Sequence, residues 1–172
     1  MRQLGLLIIV SLISQCLGCY SFSGISIPQE ASTFYVANFE DKTSGASLAP
    51  PSIFIDFTER LKDKVRRETP LKYNETAHDL LFEGSVSRYD ISFSSPTAGS
   101  QINQIGAKTR LTIGVTVKYT NKLNEKQNWS QTFSHFVDIA EDEVVADKQD
   151  ELINTIFIDI LEQIMKKAFG AW

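Results

Sequence analysis

The sequence predicts an α+β fold: a four-stranded, mostly antiparallel sheet with two helices packed on one face, in the order β-α-β-β-β-α. Three patterns lead there. Apolar residues alternate over 108–120, recur every fourth position over 53–65, and fill a wide helical stripe over 147–168. The first is the signature of a strand with one buried face. The other two are helices whose apolar sides need a surface to cover.

The start of the chain is of another kind. Residues 4–13 are apolar and follow Arg2, the only charge in the first 18 residues. This reads as the core of an export signal, shorter than the roughly 20 residues a membrane-spanning helix needs. Leu17-Gly18-Cys19 then reads as a lipoprotein cleavage and lipidation site, with Cys19 the first residue of the mature chain. Gly18 suits the position before the cleaved bond. Cys16 is the rival acceptor, preceded by Gln15. The expected division is residues 1–18 as signal peptide, 19–32 as lipidated lead-in and 33–172 as one domain. Both cysteines of the chain lie in this segment, so the domain itself has no disulfide and no cysteine metal site. Two or three acyl chains on Cys19 would make a lasting anchor, since one chain alone holds only marginally.

Thr33-Phe34-Tyr35-Val36-Ala37-Asn38-Phe39 is β-branched and aromatic, and predicts a strand. Residues 40–49 are polar and small, a loop. Pro50-Pro51-Ser52 opens a helix, as prolines in a first turn do. Ile53, Phe57, Leu61 and Val65 form its apolar stripe, and Pro70 stops it. Its other face carries Arg60, Lys62, Lys64, Arg66 and Arg67 among Glu59, Asp63 and Glu68. That face is either a solvated one or a patch for lipid phosphates.

Residues 79–93 predict a long strand. Leu80, Phe82, Gly84 and Val86 share one parity, and Tyr89, Ile91 and Phe93 the other. A switch near Ser87-Arg88 signals a β-bulge. Residues 94–106 are uncharged and without period, a long loop of the functional or disordered kind. Ile102 and Ile105 at its tip either make a contact or tuck back.

In the next strand Leu111, Ile113, Val115, Val117 and Tyr119 point one way. Lys108, Arg110, Thr112, Thr116, Lys118 and Thr120 point the other. A polar turn over 121–126 leads to a return strand over 128–137, with Trp129, Phe133 and Val137 on one side. Glu141-Asp142-Glu143 precedes the last helix, where anions suit an N-terminus. The open side of the sheet is therefore rich in Lys, Arg, Thr and Ser. It either faces water or docks something.

The chemistry of catalysis is missing. His78 and His135 have no metal-ligand neighbours at helical or hairpin spacing, and no nucleophile elbow or phosphate loop occurs. The acidic run at 141–143 with Asp147 lacks the ligand spacing of a calcium loop. No enzyme, cofactor or metal is expected. A net charge of −4 gives no bulk attraction to nucleic acid.

Together, Cys19-Tyr20-Ser21-Phe22-Ser23-Gly24, Phe82-Glu83-Gly84 with Tyr89, Arg110-Leu111-Thr112-Ile113, and the ending Ala168-Phe169-Gly170-Ala171-Trp172 resemble the LPS-assembly lipoprotein family, LptE, in a branch distant from the enterobacterial one. Ala171 departs from the branch pattern, which has Asn before the final Trp. The resemblance implies a small sheet with two helices on one face. It implies an outer-membrane lipoprotein that faces the periplasm, pairs with the β-barrel LptD as a plug in its lumen, and helps deliver lipopolysaccharide. The absence of acidic residues directly after Cys19 suits that location. Lys108, Arg110 and Lys118 are the candidate residues for barrel carboxylates or lipid A phosphates. The competing class is a periplasm-facing lipoprotein adaptor that activates a cell-wall enzyme or positions a secretion channel.

Overall fold

The computed structural model describes residues 27–28, 30–43, 48–94, 108–139 and 145–170. The signal segment, Cys16, Cys19, most of the loop over 94–106, the acidic run at 141–143 and the last two residues lie outside these. The described chain runs β1 (Thr33–Val36), β2 (Glu40–Asp41), α1 (Ile53–Glu68), β3 (Lys72–Tyr73), β4 (Leu80–Ser94), β5 (Lys108–Asn121), β6 (Trp129–Ile139) and α2 (Gln149–Phe169). Short 3-10 turns at Glu125–Gln127 and Val145–Lys148 precede β6 and α2.

The α+β class and the two helices are as predicted. The sheet is larger and mixed: six strands in the order β3-β1-β4-β5-β6, with β2 also against β4. The long strands β4, β5 and β6 pair antiparallel, whereas β1 lies parallel to β3 and β4. The parallel pairing follows from α1, which carries the chain back across the sheet between β1 and β4.

The stretch 33–39 is not one strand. Residues before and after Phe39 pair with the same edge of β4, first Phe34–Val36 against Leu80–Phe82, then Glu40–Asp41 against Ser85–Val86. Between them Phe39 turns inward and is 2% exposed. Its ring fits because Gly84 of β4 has no side chain. A Cβ there would stand 2.9 Å from the Phe39 ring and 2.0 Å from the Thr116 carbonyl oxygen. The Phe39 N–H is not lost to the core, because it donates to Thr58 Oγ1 at 3.0 Å.

One face of the sheet is buried. Phe34, Val36, Leu80, Phe82, Val86, Leu111, Ile113, Val115, Val117, Tyr119 and Phe133 all lie on it, beneath α1 and α2. The helices meet through Phe57 and Phe157, ring centroids 5.0 Å apart at 77°, and Phe39 packs against Phe57 at the same separation with the rings tilted by 60°. Each such ring contributes roughly 1.5–3 kcal/mol by burial. Tyr119 is also buried: burial pushes its hydroxyl pKa up to about 12, and no described residue offers it a hydrogen bond.

Two polar knots hold strand ends. At the start of β1 and β4, the Asp79 carboxylate accepts from the backbone N–H of Ser32 and Thr33 and from both hydroxyls, at 2.8–3.1 Å. At the β5–β6 turn, Asn121 is fully buried. Its amide donates to Gln127 and its carbonyl accepts from the N–H of Leu123 and Asn124.

The Ser32 and Thr33 donors hold Asp79 at a pKa of about 2, below the ordinary 3.8. Its contribution is therefore complete above about pH 4 and is lost as pH falls through about 2. Asp79→Ala is expected to cost about 1 kcal/mol at neutral pH, discounted for solvent screening. Urea unfolding of the two proteins should converge between about pH 4 and 2. Gly84→Val is expected to cost at least ~2 kcal/mol by overpacking, seen as a lower urea midpoint, because the Thr116 backbone cannot yield.

Candidate functional site

The uncovered face of the sheet carries the candidate residues. Its making starts at the bulge. The pairing of β4 with β5 shifts between Val86 and Arg88. That extra residue, Ser87, returns Tyr89 and Ile91 to the helix side and leaves Arg88 and Asp90 on the open side. The predicted parity switch is thus a change of phase, not of face.

The open face then reads in rows across β4, β5 and β6. Glu83, Lys118 and Ser130 make one row, and Ser85, Thr116 and Thr132 the next. Past the bulge come Arg88, Gly114 and Ser134, then Asp90, Thr112 and Phe136, then Ser92, Arg110 and Asp138. The middle is a hydroxyl cluster. Thr116 Oγ1 lies 2.9 Å from Thr132 Oγ1 and donates to Ser87 Oγ at 3.3 Å.

Arg110 and Lys118 share this face, and Lys108 falls in phase with them by register alone. They do not form one free basic patch. Lys118 Nζ donates to Glu83 at 2.6 Å. Arg110 binds Asp138 with both Nε and Nη2, at 2.6 and 3.0 Å, and this carboxylate holds its guanidinium still more firmly protonated. Arg88 pairs with Asp90 at 3.2 Å. Lys108 sits opposite Ser94, and its side chain lies outside the described residues.

Sequence reading missed Phe136. Its ring is 46% exposed on this otherwise polar face, and the Arg110 guanidinium lies 3.8 Å above its centroid. The signal was present: Phe136 is an aromatic out of phase with Trp129, Phe133 and Val137. Arg110 is thus clamped edge-on by Asp138 and face-on by Phe136, a rigid, amphipathic station.

The other candidate groups take structural roles. His135 Nε2 lies 3.0 Å from Asp159 of α2 and ties β6 to that helix. His78 Nδ1 contacts the Glu75 carbonyl at 3.1 Å and its ring packs near Tyr35. On α1, Arg60, Lys62, Lys64 and Arg66 each pair with a carboxylate of the same helix. That arrangement is a solvated helix face, not a patch held ready for phosphates. A cavity of about 410 Å³ between the starts of α1 and α2 is lined by Ile53, Asp56, Arg60, Asp150 and Ile153, but Arg60 is already satisfied by Asp56 and Asn154. Among the described residues no group of three His, Cys, Asp or Glu is placed to hold a metal, and no helix is long and apolar enough to cross a membrane.

A family model described as LptE, lipopolysaccharide-assembly, matches residues 31–168. No curated protein sequence matches. Among solved structures, a PelC dodecamer from Paraburkholderia phytofirmans is similar at a TM-score of 0.51 and 12% identity, over 86% of this chain and 95% of that one. A putative neuraminyllactose-binding hemagglutinin homolog from Helicobacter pylori is similar at 0.51 and 10% identity, over 86% and 91%. A minor lipoprotein from Acinetobacter baumannii gives 0.49 and 11% identity, over 80% and 91%. At such identities the first two likenesses concern the fold alone.

The pairing of Arg110 with Asp138 has a direct check. Arg110→Asp alone sets two carboxylates face to face across β5 and β6 and is expected to lower the melting temperature. The exchange Arg110→Asp with Asp138→Arg should recover most of that loss. The difference between single and double variants should shrink in high salt, because the pair is exposed.

Proposed function

Because the chain belongs to the LptE lipopolysaccharide-assembly family, we propose that it is an outer-membrane lipoprotein that pairs with an LptD-like β-barrel and assists lipopolysaccharide transport and assembly. In this reading the export signal over 1–18 is removed and Cys19 is acylated. The anchor holds the domain on the periplasmic side of the outer membrane. The role is binding, without a catalytic step.

The observation that carries the partner is the open sheet face. Large barrels line their lumen with polar groups. A face of hydroxyls and internally paired charges enters such surroundings without leaving a bare charge behind, so its desolvation is already offset within the sheet. The same pairing argues against this face as a first-choice phosphate site. A lipid A phosphate would have to displace Asp138 from Arg110 or Glu83 from Lys118. Arg110 and Lys118 therefore serve barrel contacts better than direct lipopolysaccharide contacts, and Lys108 stays with them as a candidate of the same face. Phe136 with Arg110 supplies the anchor, since aromatic and Arg residues dominate binding hot spots.

Affinity purification of the acylated full chain after mild detergent extraction tests this. The dominant partner is expected to be an LptD-like barrel. Recovery should fall about tenfold, a loss of about 1.4 kcal/mol, in a variant carrying Phe136→Asp and Arg110→Glu. A cell-wall enzyme or a secretion channel as the dominant partner would instead establish the adaptor role. Unchanged barrel recovery by the variant would clear the open face of the interface.

A further inference from the structure

We propose that the end of the domain where β1 begins rests on an anionic phospholipid bilayer, with the tip of the β5–β6 turn set among the headgroups. This rests on the Cys19 anchor put forward above and adds a docking surface to it. Topology gathers several pieces of chain at this end. Strands β1 and β4 start there and β5 turns back there. Helix α1 ends there, just before Lys72 donates its N–H to the Ser32 carbonyl, and α2 ends there with Phe169 against Phe82 and Tyr119.

The charges of this end differ from those elsewhere. Cations along α1 and on the open face are held by carboxylates. Lys72, Lys122 and Lys126 are exposed, and among the described residues none of them pairs with a carboxylate. Lys72 and Lys122 stand three strands apart, about 14 Å across the sheet. Arg67 and Lys166 add charge in the last turns of α1 and α2, where they offset the negative helix ends. Of the nearby carboxylates, Glu68 is taken by Lys64 and Asp79 is enclosed by Ser32 and Thr33, while Glu75 and Glu125 remain exposed. The opposite end has Asp147, Asp150 and Glu151 at the start of α2, so the two ends differ in sign.

An apolar tip stands among these cations. Leu123 is 45% exposed between Lys122 and Lys126. The buried Asn121 holds it out, since its carbonyl accepts from the N–H of Leu123 and Asn124. Tyr73 is exposed beside Lys72 on the edge strand. Apolar and aromatic side chains flanked by lysines compose an interfacial surface.

The tether selects the occupant. Residues 19–32 reach at most about 45 Å. Strand β4, with 15 residues, is about 50 Å long. An acylated Cys19 is thus too close for the domain to stand on its acidic end, and the basic end is the one kept beside the bilayer. Each lysine near an anionic leaflet adds an attraction that fades within a Debye length, so a short tether and a basic end reinforce each other.

The test places the acylated chain in vesicles with Leu123→Cys, its one free thiol, carrying a polarity-sensitive dye. A blue shift is expected in phosphatidylglycerol vesicles and not in phosphatidylcholine vesicles. The same dye at Leu48→Cys, exposed at the far end beside Gln149, should not respond. Lys72→Glu, Lys122→Glu and Lys126→Glu together should keep the unfolding midpoint and the flotation with vesicles that the acyl chains provide, but lose the shift. High salt should remove it as well. No shift at 123, equal shifts at 48 and 123, or a shift indifferent to lipid charge or to the three lysines would overturn the proposal. A chain whose mass shows no acyl groups would overturn the anchor and this proposal together. An acylated chain that recovers an LptD-like barrel without the shift refutes this proposal alone, and the shift without the barrel refutes only the pairing.

Discussion

Everything on the two faces of this sheet depends on one extra residue in β4. Strict alternation over Leu80–Ser94 would bury Leu80, Phe82 and Val86 but turn Tyr89 and Ile91 toward water. The bulge at Ser87 resets the phase, so a single face stays apolar along the whole strand. With that face continuous, α2 can lie across β5 and β6 with Tyr89 hydrogen-bonded to Gln149 at 2.8 Å. The same reset hands Arg88 and Asp90 to the open side. Core and candidate surface are thus two outcomes of one local irregularity.

The second constraint is the fit of Phe39 over Gly84. It divides the first strand, brings α1 down through Thr58 and Phe57, and passes the contact on to Phe157 of α2. The chain of rings makes the helix layer one unit rather than two helices separately laid on a sheet. The Phe82-Glu83-Gly84 segment that carried part of the family resemblance has a physical content here. Phe82 is core, Glu83 neutralises Lys118, and Gly84 is the space Phe39 needs.

The electrostatics of the open face are local and balanced. Three cations of this face each meet a carboxylate within the sheet, and the hydroxyls between them bond to one another. Such a surface is polar without being strongly charged. It suits partners that are polar and patterned better than partners that bring concentrated negative charge. The family assignment, to lipopolysaccharide assembly, and this polar, patterned surface are consistent with one another.

Much of this was legible in the residues alone. Periodicity determined the helices, the three long strands, the bulge, and which residues of β5 face outward, because each rests on neighbours in sequence. Tertiary structure decided the rest. The two-residue strands β2 and β3 carry no pattern of their own and exist only because β4 and β1 offer them an edge. The splitting of 33–39 depends on a space left by Gly84, far along the chain. Lys118 and Arg110 looked free in sequence because Glu83 and Asp138 come from other strands. A residue's parity is written in its own strand, whereas its charge partner is set by register, and register is a property of the assembled sheet.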